Sequence, residues 1–140
     1  MPITFNATVS LIENNHYKGV TRDTLEVDMD NRPAGELQAG PTPMELVLNA
    51  LAGCTAMDVV AILRKRKREP EQFEIFIEGT KRDEHPKHYE SVNLIYRAKG
   101  EGITIQELER AAELSMTRYC AVSAMVKTVA EVNWTCELME

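Results

Sequence analysis

The sequence predicts an α+β fold with antiparallel sheets, and three observations support it. Segments that alternate apolar and polar residues come in consecutive blocks, as strands joined by short turns do. A long apolar segment with a helix-start signal separates the first block from the second. A second helical region precedes one last alternating segment. Strands and helices therefore do not alternate strictly, which a parallel α/β sheet would require.

The first 41 residues are predicted to form three strands and a loop. Apolar and polar residues alternate over 3–11, and Asn-rich turn chemistry at 13–15 leads to a return strand at 17–21. A third alternating strand follows at 25–29. Proline, glycine, asparagine and charged residues dominate 30–40 and predict a loop.

The segment 42–68 is predicted to be a central helix. Thr42 and Glu45 form a T-x-x-E capping box, with Pro43 at the first helical position. The helix is apolar around nearly its whole circumference and therefore has to be buried. Its length, about 37 Å, suggests a core larger than one subunit supplies. The basic residues 64–68 are typical of a helix C-terminus that emerges into water.

The remaining chain completes a single domain over residues 1–140. Alternating segments on either side of a turn at 84–88 predict a hairpin over 71–99. The segment 104–140 is predicted to contain two helices and a final strand, the first helix opened by a second capping box of Thr104 and Glu107. A break near residues 118–119 separates the two helices.

Composition excludes several classes of function. The formal net charge of −6 disfavours sequence-independent nucleic-acid binding. No run of eighteen apolar residues and no secretory signal is visible, so we expect neither a membrane span nor export. The 3 cysteines are widely spaced and form no disulfide or zinc pattern, which favours a reducing cytoplasmic setting.

The histidines suggest neither a metal site nor a bound cofactor. His85 and His88 are three residues apart, but they lie in a polar loop containing proline, where histidines are usually solvated. His16, in the first hairpin, has the same interpretation. Cys136 shares a strand face with Trp134 and is expected to be a small buried hydrophobic residue.

Two motifs together resemble the OsmC/Ohr family of thiol proteins. They are Pro-Thr-Pro-Met-Glu-Leu-Val-Leu-Asn-Ala-Leu-Ala-Gly-Cys-Thr at 41–55 and Tyr-Cys-Ala-Val-Ser at 119–123. The element order fits this family along the whole chain, and the chain looks closest to its redox-protein branch. The resemblance implies an intertwined homodimer, with antiparallel sheets wrapped around two long central helices and a reactive site at the interface.

The resemblance also implies a thiol chemistry. By position, Cys54 matches the family's peroxidatic cysteine and Cys120 its resolving cysteine. The first thiolate attacks a hydroperoxide and becomes a sulfenic acid, which condenses with the second thiol. An external dithiol reductant, such as a lipoyl group, is then implied for turnover.

The sequence departs from the family pattern at the residues that activate the thiol. The family's glutamate directly follows the proline, where this chain has Met44. Glu45 already belongs to the capping box, and it lies nine residues from Cys54, on the opposite helix face.

The family's arginine comes from the first hairpin, but residues 13–18 contain none. Arg22 and Arg32 are the nearest candidates, and Lys18 or His16 can substitute only as charges, without the geometry of a guanidinium.

Asp58 lies one helical turn from Cys54, on the same face. An ionised carboxylate there raises the pKa of the thiol, unless it orients a cation. Arg118 is the candidate for that cation, so Asp58 and Arg118 form one hypothetical pair. In the other interpretation, Asp58 simply faces water at a groove.

Three functions are consistent with these residues. The leading hypothesis is a thiol-dependent peroxidase-like protein that reduces organic or small hydroperoxides in oxidative stress defence. An alternative is a non-catalytic dimer that binds a small apolar ligand in its interface pocket. Four methionines suit such a pocket: Met44, Met57, Met116 and Met125. A third is an interaction protein that uses the basic residues 64–68.

Overall fold

A computed structural model describes all residues, 1–140, and confirms the α+β class. The chain forms two compact units, residues 1–47 and 48–140, each described by itself. The single domain stays a prediction. In chain order the elements are β1 (Ala7–Glu13), β2 (His16–Thr21), β3 (Leu25–Met29), α1 (Pro43–Lys65), β4 (Gln72–Lys81), β5 (Tyr89–Lys99), α2 (Ile105–Leu114), a π-helical segment (Ser115–Tyr119), α3 (Ala121–Val126) and β6 (Glu131–Leu138).

The first unit is built on the three predicted strands, which form an antiparallel sheet in the order β1-β2-β3. Asn14 takes a positive φ of 48° in the first turn, which asparagine tolerates better than most residues. Apolar side chains of this sheet stay exposed in the single chain, including Val9 and Leu11 at 58% each and Leu25 at 55%. Contiguous exposed apolar surface of this kind is typical of an interaction face.

The loop before the helix is held by Asp30, which is buried at 1% exposure. Its carboxylate accepts a hydrogen bond from the Ala39 amide at 2.9 Å and pairs with the Arg32 guanidinium at 2.7 Å. Burial opposes ionisation, but the Ala39 amide and the Arg32 charge outweigh it and lower the pKa of Asp30. The loop is therefore an ordered connection that leads into the helix start.

The start of α1 confirms the predicted capping box. The Thr42 amide donates to Glu45 Oε1 at 2.9 Å, and the Glu45 amide donates to Thr42 Oγ1 at 3.2 Å. These two bonds satisfy amides that the first helical turn leaves without helical partners.

The end of α1 comes at Lys65, earlier than the predicted boundary at residue 68. Lys67 adopts a left-handed φ of 64°, and its backbone amide donates to the Arg64 carbonyl at 3.0 Å. The next amide, of Arg68, donates to the Leu63 carbonyl at 2.9 Å. This is a Schellman ending, and no glycine signals it in the sequence.

Helix α1 buries only one stripe of side chains in the single chain: Leu51, Thr55, Val59 and Leu63. Other apolar positions are open, with Met57 77% exposed. By length and composition alone α1 is also apolar enough to span a membrane, with a mean hydropathy of 2.0. Core helices of soluble proteins have the same property, so this is weak evidence, and the absence of a membrane span stays a prediction.

The second unit contains the apolar core, on a sheet in the order β4-β5-β6. Strand β5 alternates as predicted, with Val92, Leu94 and Tyr96 all at 1% exposure or less. Helix α2 packs on β5 and β6. One pairing differs from the predicted antiparallel sheets, because β6 runs parallel to β5. The helical region between them returns the chain to the starting end of the sheet, as a parallel crossover must.

The second capping box forms only in part. Thr104 Oγ1 accepts from the Glu107 amide at 3.2 Å. The Glu107 carboxylate turns instead to Arg66 at 3.5 Å and Arg68 at 3.2 Å. The basic end of α1 is therefore partly neutralised at the start of α2 rather than wholly solvated.

Candidate functional site

The two cysteines matched by the resemblance lie together in the second unit. Cys54 is half-buried in the middle of α1, and Cys120 is 4% exposed at the N-cap of α3. Both thiols are free, and they interact directly with each other. Elements far apart in sequence thus bring Cys54 and Cys120, hereafter the thiol pair, into contact.

The environment of Cys120 keeps its thiol protonated at neutral pH. Burial is the main cause and raises the pKa of Cys120 to about 11. The Ser123 amide donates to Cys120 Sγ at 3.4 Å and opposes this rise, whereas Cys54 and Asp58 add to it. A protonated thiol is a weak nucleophile, so Cys120 needs a proton acceptor before it can attack anything.

The π-helical segment sets the position of Cys120. The Cys120 amide donates to the Ser115 carbonyl at 2.7 Å, an i→i−5 bond that closes the widened turn. The predicted break near residues 118–119 corresponds to the end of this segment. Such π-turns occur often at functional sites, because they redirect a helix without ending its hydrogen bonding.

Three buried hydroxyl groups form a hydrogen-bond chain that ends on Asp58. Tyr96 Oη lies 2.8 Å from Thr55 Oγ1, which lies 2.6 Å from Ser115 Oγ. Ser115 Oγ then donates to Asp58 Oδ2 at 2.8 Å. Tyr96, Thr55 and Ser115, hereafter the hydroxyl chain, are each 0% exposed.

Sequence reasoning did not find the hydroxyl chain. Ser115 lies between Leu114 and Met116 in the sequence, and Thr55 directly follows Cys54. Both were visible as small polar residues among apolar ones. Their mutual contact depends on how α1, β5 and the π-helical segment pack, and no local pattern encodes that packing.

Asp58 and Arg118 do not pair within the chain. Arg118 is exposed, and its guanidinium lies over the Tyr119 ring at 5.7 Å from the centroid. The partner of Asp58 is Ser115 instead. The half-buried carboxylate is therefore held by a hydroxyl rather than by a cation.

The other supporting residues considered from the sequence have partners within residues 1–47. The Glu45 carboxylate accepts from the Thr42 amide, which lowers the pKa of Glu45 and gives it a capping role. The four candidate cations are also engaged there. These pairs are Arg22 over the Phe5 ring at 5.7 Å, Arg32 with Asp30 at 2.7 Å, His16 with Asp28 at 2.8 Å, and Lys18 with Glu26 at 3.2 Å.

The third cysteine and the loop histidines lie outside the thiol pair. Cys136 is half-buried on β6, and burial raises its pKa to about 12, as for a packing residue. His85 is exposed, and the His88 ring bonds the Tyr89 carbonyl at 2.8 Å.

A cavity of about 570 Å³ opens beside Asp58, between α1 and α2. Its volume is in the range of small-molecule sites. Apolar side chains form part of its wall and three cations another part, with Asp58 the one carboxylate among the lining residues. The lining residues are Asp58, Ala61, Ile62, Lys65, Arg66, Arg110, Leu114 and Tyr119.

Comparisons with known proteins agree with this architecture. The family model for OsmC-like protein matches residues 33–135. Protein YhfA of Escherichia coli (strain K12) is 29% identical over 133 residues, which cover 95% of this chain and 97% of YhfA. The crystal structure of an OsmC-like protein from Mycoplasma pneumoniae is 15% identical, with a TM-score of 0.86 over 100% of both chains. An organic hydroperoxide resistance protein from Elizabethkingia anophelis is 16% identical, with a TM-score of 0.70 over 99% of both chains.

Proposed function

Because the chain belongs to the OsmC-like protein family, we propose that it is a thiol-dependent peroxidase that reduces organic or small hydroperoxides. The direct interaction of Cys54 with Cys120 is the observation that carries this proposal. A related fold occurs in a protein named for organic hydroperoxide resistance, which adds support at the level of the fold.

In the first step, the Cys54 thiolate attacks one oxygen of the hydroperoxide. A sulfur–oxygen bond forms and the oxygen–oxygen bond breaks. The departing alkoxide takes a proton from water and leaves as an alcohol. Cys54 becomes a sulfenic acid, the reversible first stage of cysteine oxidation.

In the second step, Cys120 attacks the sulfenic sulfur and water leaves, which gives the disulfide. An external dithiol then reduces this disulfide and is itself oxidised, so no bound cofactor is required. The deeper burial of Cys120 suits the resolving role, because its thiol waits protonated until Cys54 has reacted.

The proposal includes a cytoplasmic homodimer. Exposed apolar residues on β1 and on α1, such as Val9, Leu11 and Met57, support a second copy as their cover. The 3 free cysteines suit a reducing compartment.

A product map after one equivalent of cumene hydroperoxide tests the chemistry. The reduced protein should form a Cys54–Cys120 disulfide within seconds, detected by mass spectrometry after alkylation. Cys54→Ser should abolish it, whereas Cys136→Ser should leave it unchanged, because Cys136 lies outside the thiol pair. Thiols that are still unreacted after minutes would overturn the proposal.

A second candidate is a non-catalytic dimer that binds a small apolar ligand. The cavity beside Asp58 favours it, with Ala61, Ile62 and Leu114 in its wall. None of the four methionines considered for such a pocket lines this cavity. Unreacted thiols together with saturable binding of an apolar fluorescent probe, weakened by Ile62→Asp, would favour this candidate.

A further inference from the structure

We propose that Ser115, Thr55 and Tyr96 are positioning residues that hold the Asp58 carboxylate as the proton acceptor for Cys120. The step concerned is the one that closes the disulfide. This inference rests on the proposed function. It adds a proton acceptor, which neither of the two cysteines supplies.

The hydrogen bonds of the hydroxyl chain all run in one donor-to-acceptor direction. A carboxylate only accepts hydrogen bonds, so Ser115 Oγ must donate its hydrogen to Asp58. Ser115 then accepts from Thr55, and Thr55 in turn accepts from Tyr96. Every proton in the chain therefore points toward Asp58, and full burial of the three hydroxyls fixes this order.

Ser115 forms hydrogen bonds with both Asp58 and Cys120. Its side chain donates to Asp58 Oδ2 at 2.8 Å, and its carbonyl accepts from the Cys120 amide at 2.7 Å. The bond from Ser115 engages Asp58 Oδ2 and leaves Oδ1 out of the hydroxyl chain. Ser115 therefore bonds both the carboxylate on α1 and the backbone of the resolving cysteine after the π-helical segment.

The titratable groups around Asp58 come from the cavity lining, from β5 and from the thiol pair. The cations lining the adjoining cavity are Lys65, Arg66 and Arg110, and Arg66 already pairs with Glu107. The remaining titratable neighbours are the Tyr119 and Tyr96 hydroxyls and the thiol pair. Burial raises the pKa of Tyr96 far above its ordinary value, so that hydroxyl does not act as a base.

The proposed step balances without a further reactant. The Cys120 proton passes to Asp58, and the resulting thiolate attacks the sulfur of the Cys54 sulfenic acid. The sulfur–sulfur bond forms and the sulfur–oxygen bond breaks. The departing hydroxide takes the proton from Asp58 and leaves as water, which returns the carboxylate to its starting state.

The experiment separates oxidation of Cys54 from closure of the disulfide. Reduced dimer is mixed with one equivalent of cumene hydroperoxide and quenched over time with dimedone, which traps sulfenic acid. Asp58→Asn should leave sulfenate formation intact and slow closure about 100-fold at neutral pH. Its closure rate should then rise with pH as Cys120 ionises, whereas the wild-type rate should depend less on pH in that range.

Matched variants test the positioning role. Ser115→Ala should slow closure about tenfold, through loss of the bond to Asp58. Thr117→Ala is the control, since Thr117 lies in the same π-helical segment but bonds the Glu113 carbonyl, and its closure should match wild type. Tyr96→Phe keeps the ring, and its rate of disulfide closure should lie between those of Ser115→Ala and Thr117→Ala. Circular dichroism checks that each variant is folded.

Two results would overturn the inference. Closure in folded Asp58→Asn at the wild-type rate would remove Asp58 as the proton acceptor while leaving the peroxidase intact. Absence of both trapped sulfenate and the Cys54–Cys120 disulfide in the wild-type protein would remove the proposed function itself, and the inference with it.

Discussion

At the scale of single residues, the two thiols differ in their surroundings. Cys120 is almost fully buried and caps α3 with its sulfur, whereas Cys54 is half-buried. Burial stabilises the neutral thiol of Cys120 and raises its pKa from about 9 to about 11. The proposed division into an attacking and a resolving thiol rests on this difference in burial.

This raised pKa predicts how stability depends on pH. The folded protein favours protonated Cys120 more than the unfolded chain does, so its contribution is complete below about pH 9 and is lost as pH rises through about 11. The free energy of unfolding should fall over that range, and Cys120→Ala should reduce the fall between pH 8 and pH 11 by about 2 kcal/mol. Urea unfolding at about pH 8 and pH 11 measures both values.

Other groups titrate in the same range, including Cys136, whose pKa burial raises to about 12. The difference between wild type and Cys120→Ala is therefore the quantity to compare. Equal losses of stability in the two proteins would contradict the assigned environment of Cys120.

At the scale of elements, α1 combines a capped start, a thiol at its middle and an exposed apolar face. Only one stripe of its side chains is buried in the single chain. In the proposed dimer the open face packs against a second copy, as the family resemblance implies. Burial in such a dimer, rather than in a membrane, then explains the length and the all-round hydrophobicity of the helix.

The exposed face of α1 predicts that Met57→Lys weakens the dimer. An unpaired charge at a buried interface is strongly unfavourable, so the dissociation constant should rise about 100-fold or more. Wild type and the control Met57→Leu should sediment at twice the chain mass of 15.8 kDa. A wild-type monomer at micromolar concentration, or a Met57→Lys dimer as stable as wild type, would contradict this role.

Local signals in the sequence account for most of these elements. The capping box of Thr42 and Glu45 needs only neighbouring residues, and alternation along β5 reports one buried face, so both are confirmed. The left-handed Lys67 ending and the parallel β5–β6 pair were missed. Lysine carries no signal for a positive φ, and strand direction depends on where the intervening helices return the chain.

The candidate site was predictable only in part, for the same reason. Motifs around Cys54 and Cys120 identify the thiol pair, because each motif is local. The partner of Asp58 comes from a different element, and the sequence suggested Arg118 where the structure has Ser115. Contacts among α1, β5 and the π-helical segment are decided by packing, which a single sequence does not display.

At the scale of the whole molecule, the chain is an OsmC-like protein whose site differs from the pattern the resemblance implies. Its candidate hairpin cations have partners within residues 1–47, and Glu45 caps a helix. What the second unit offers is the thiol pair, the hydroxyl chain ending on Asp58, and a cavity with cations beside it. The proposed thiol cycle uses these groups together with an external dithiol.

Turnover with a dithiol tests that cycle most directly. Protein is mixed with an excess of cumene hydroperoxide and dihydrolipoamide, and the peroxide consumed per protein is followed with time. We expect many turnovers for wild type and Cys136→Ser, and none above background for Cys54→Ser or Cys120→Ser. Peroxide consumption by wild type no faster than by Cys54→Ser would contradict it.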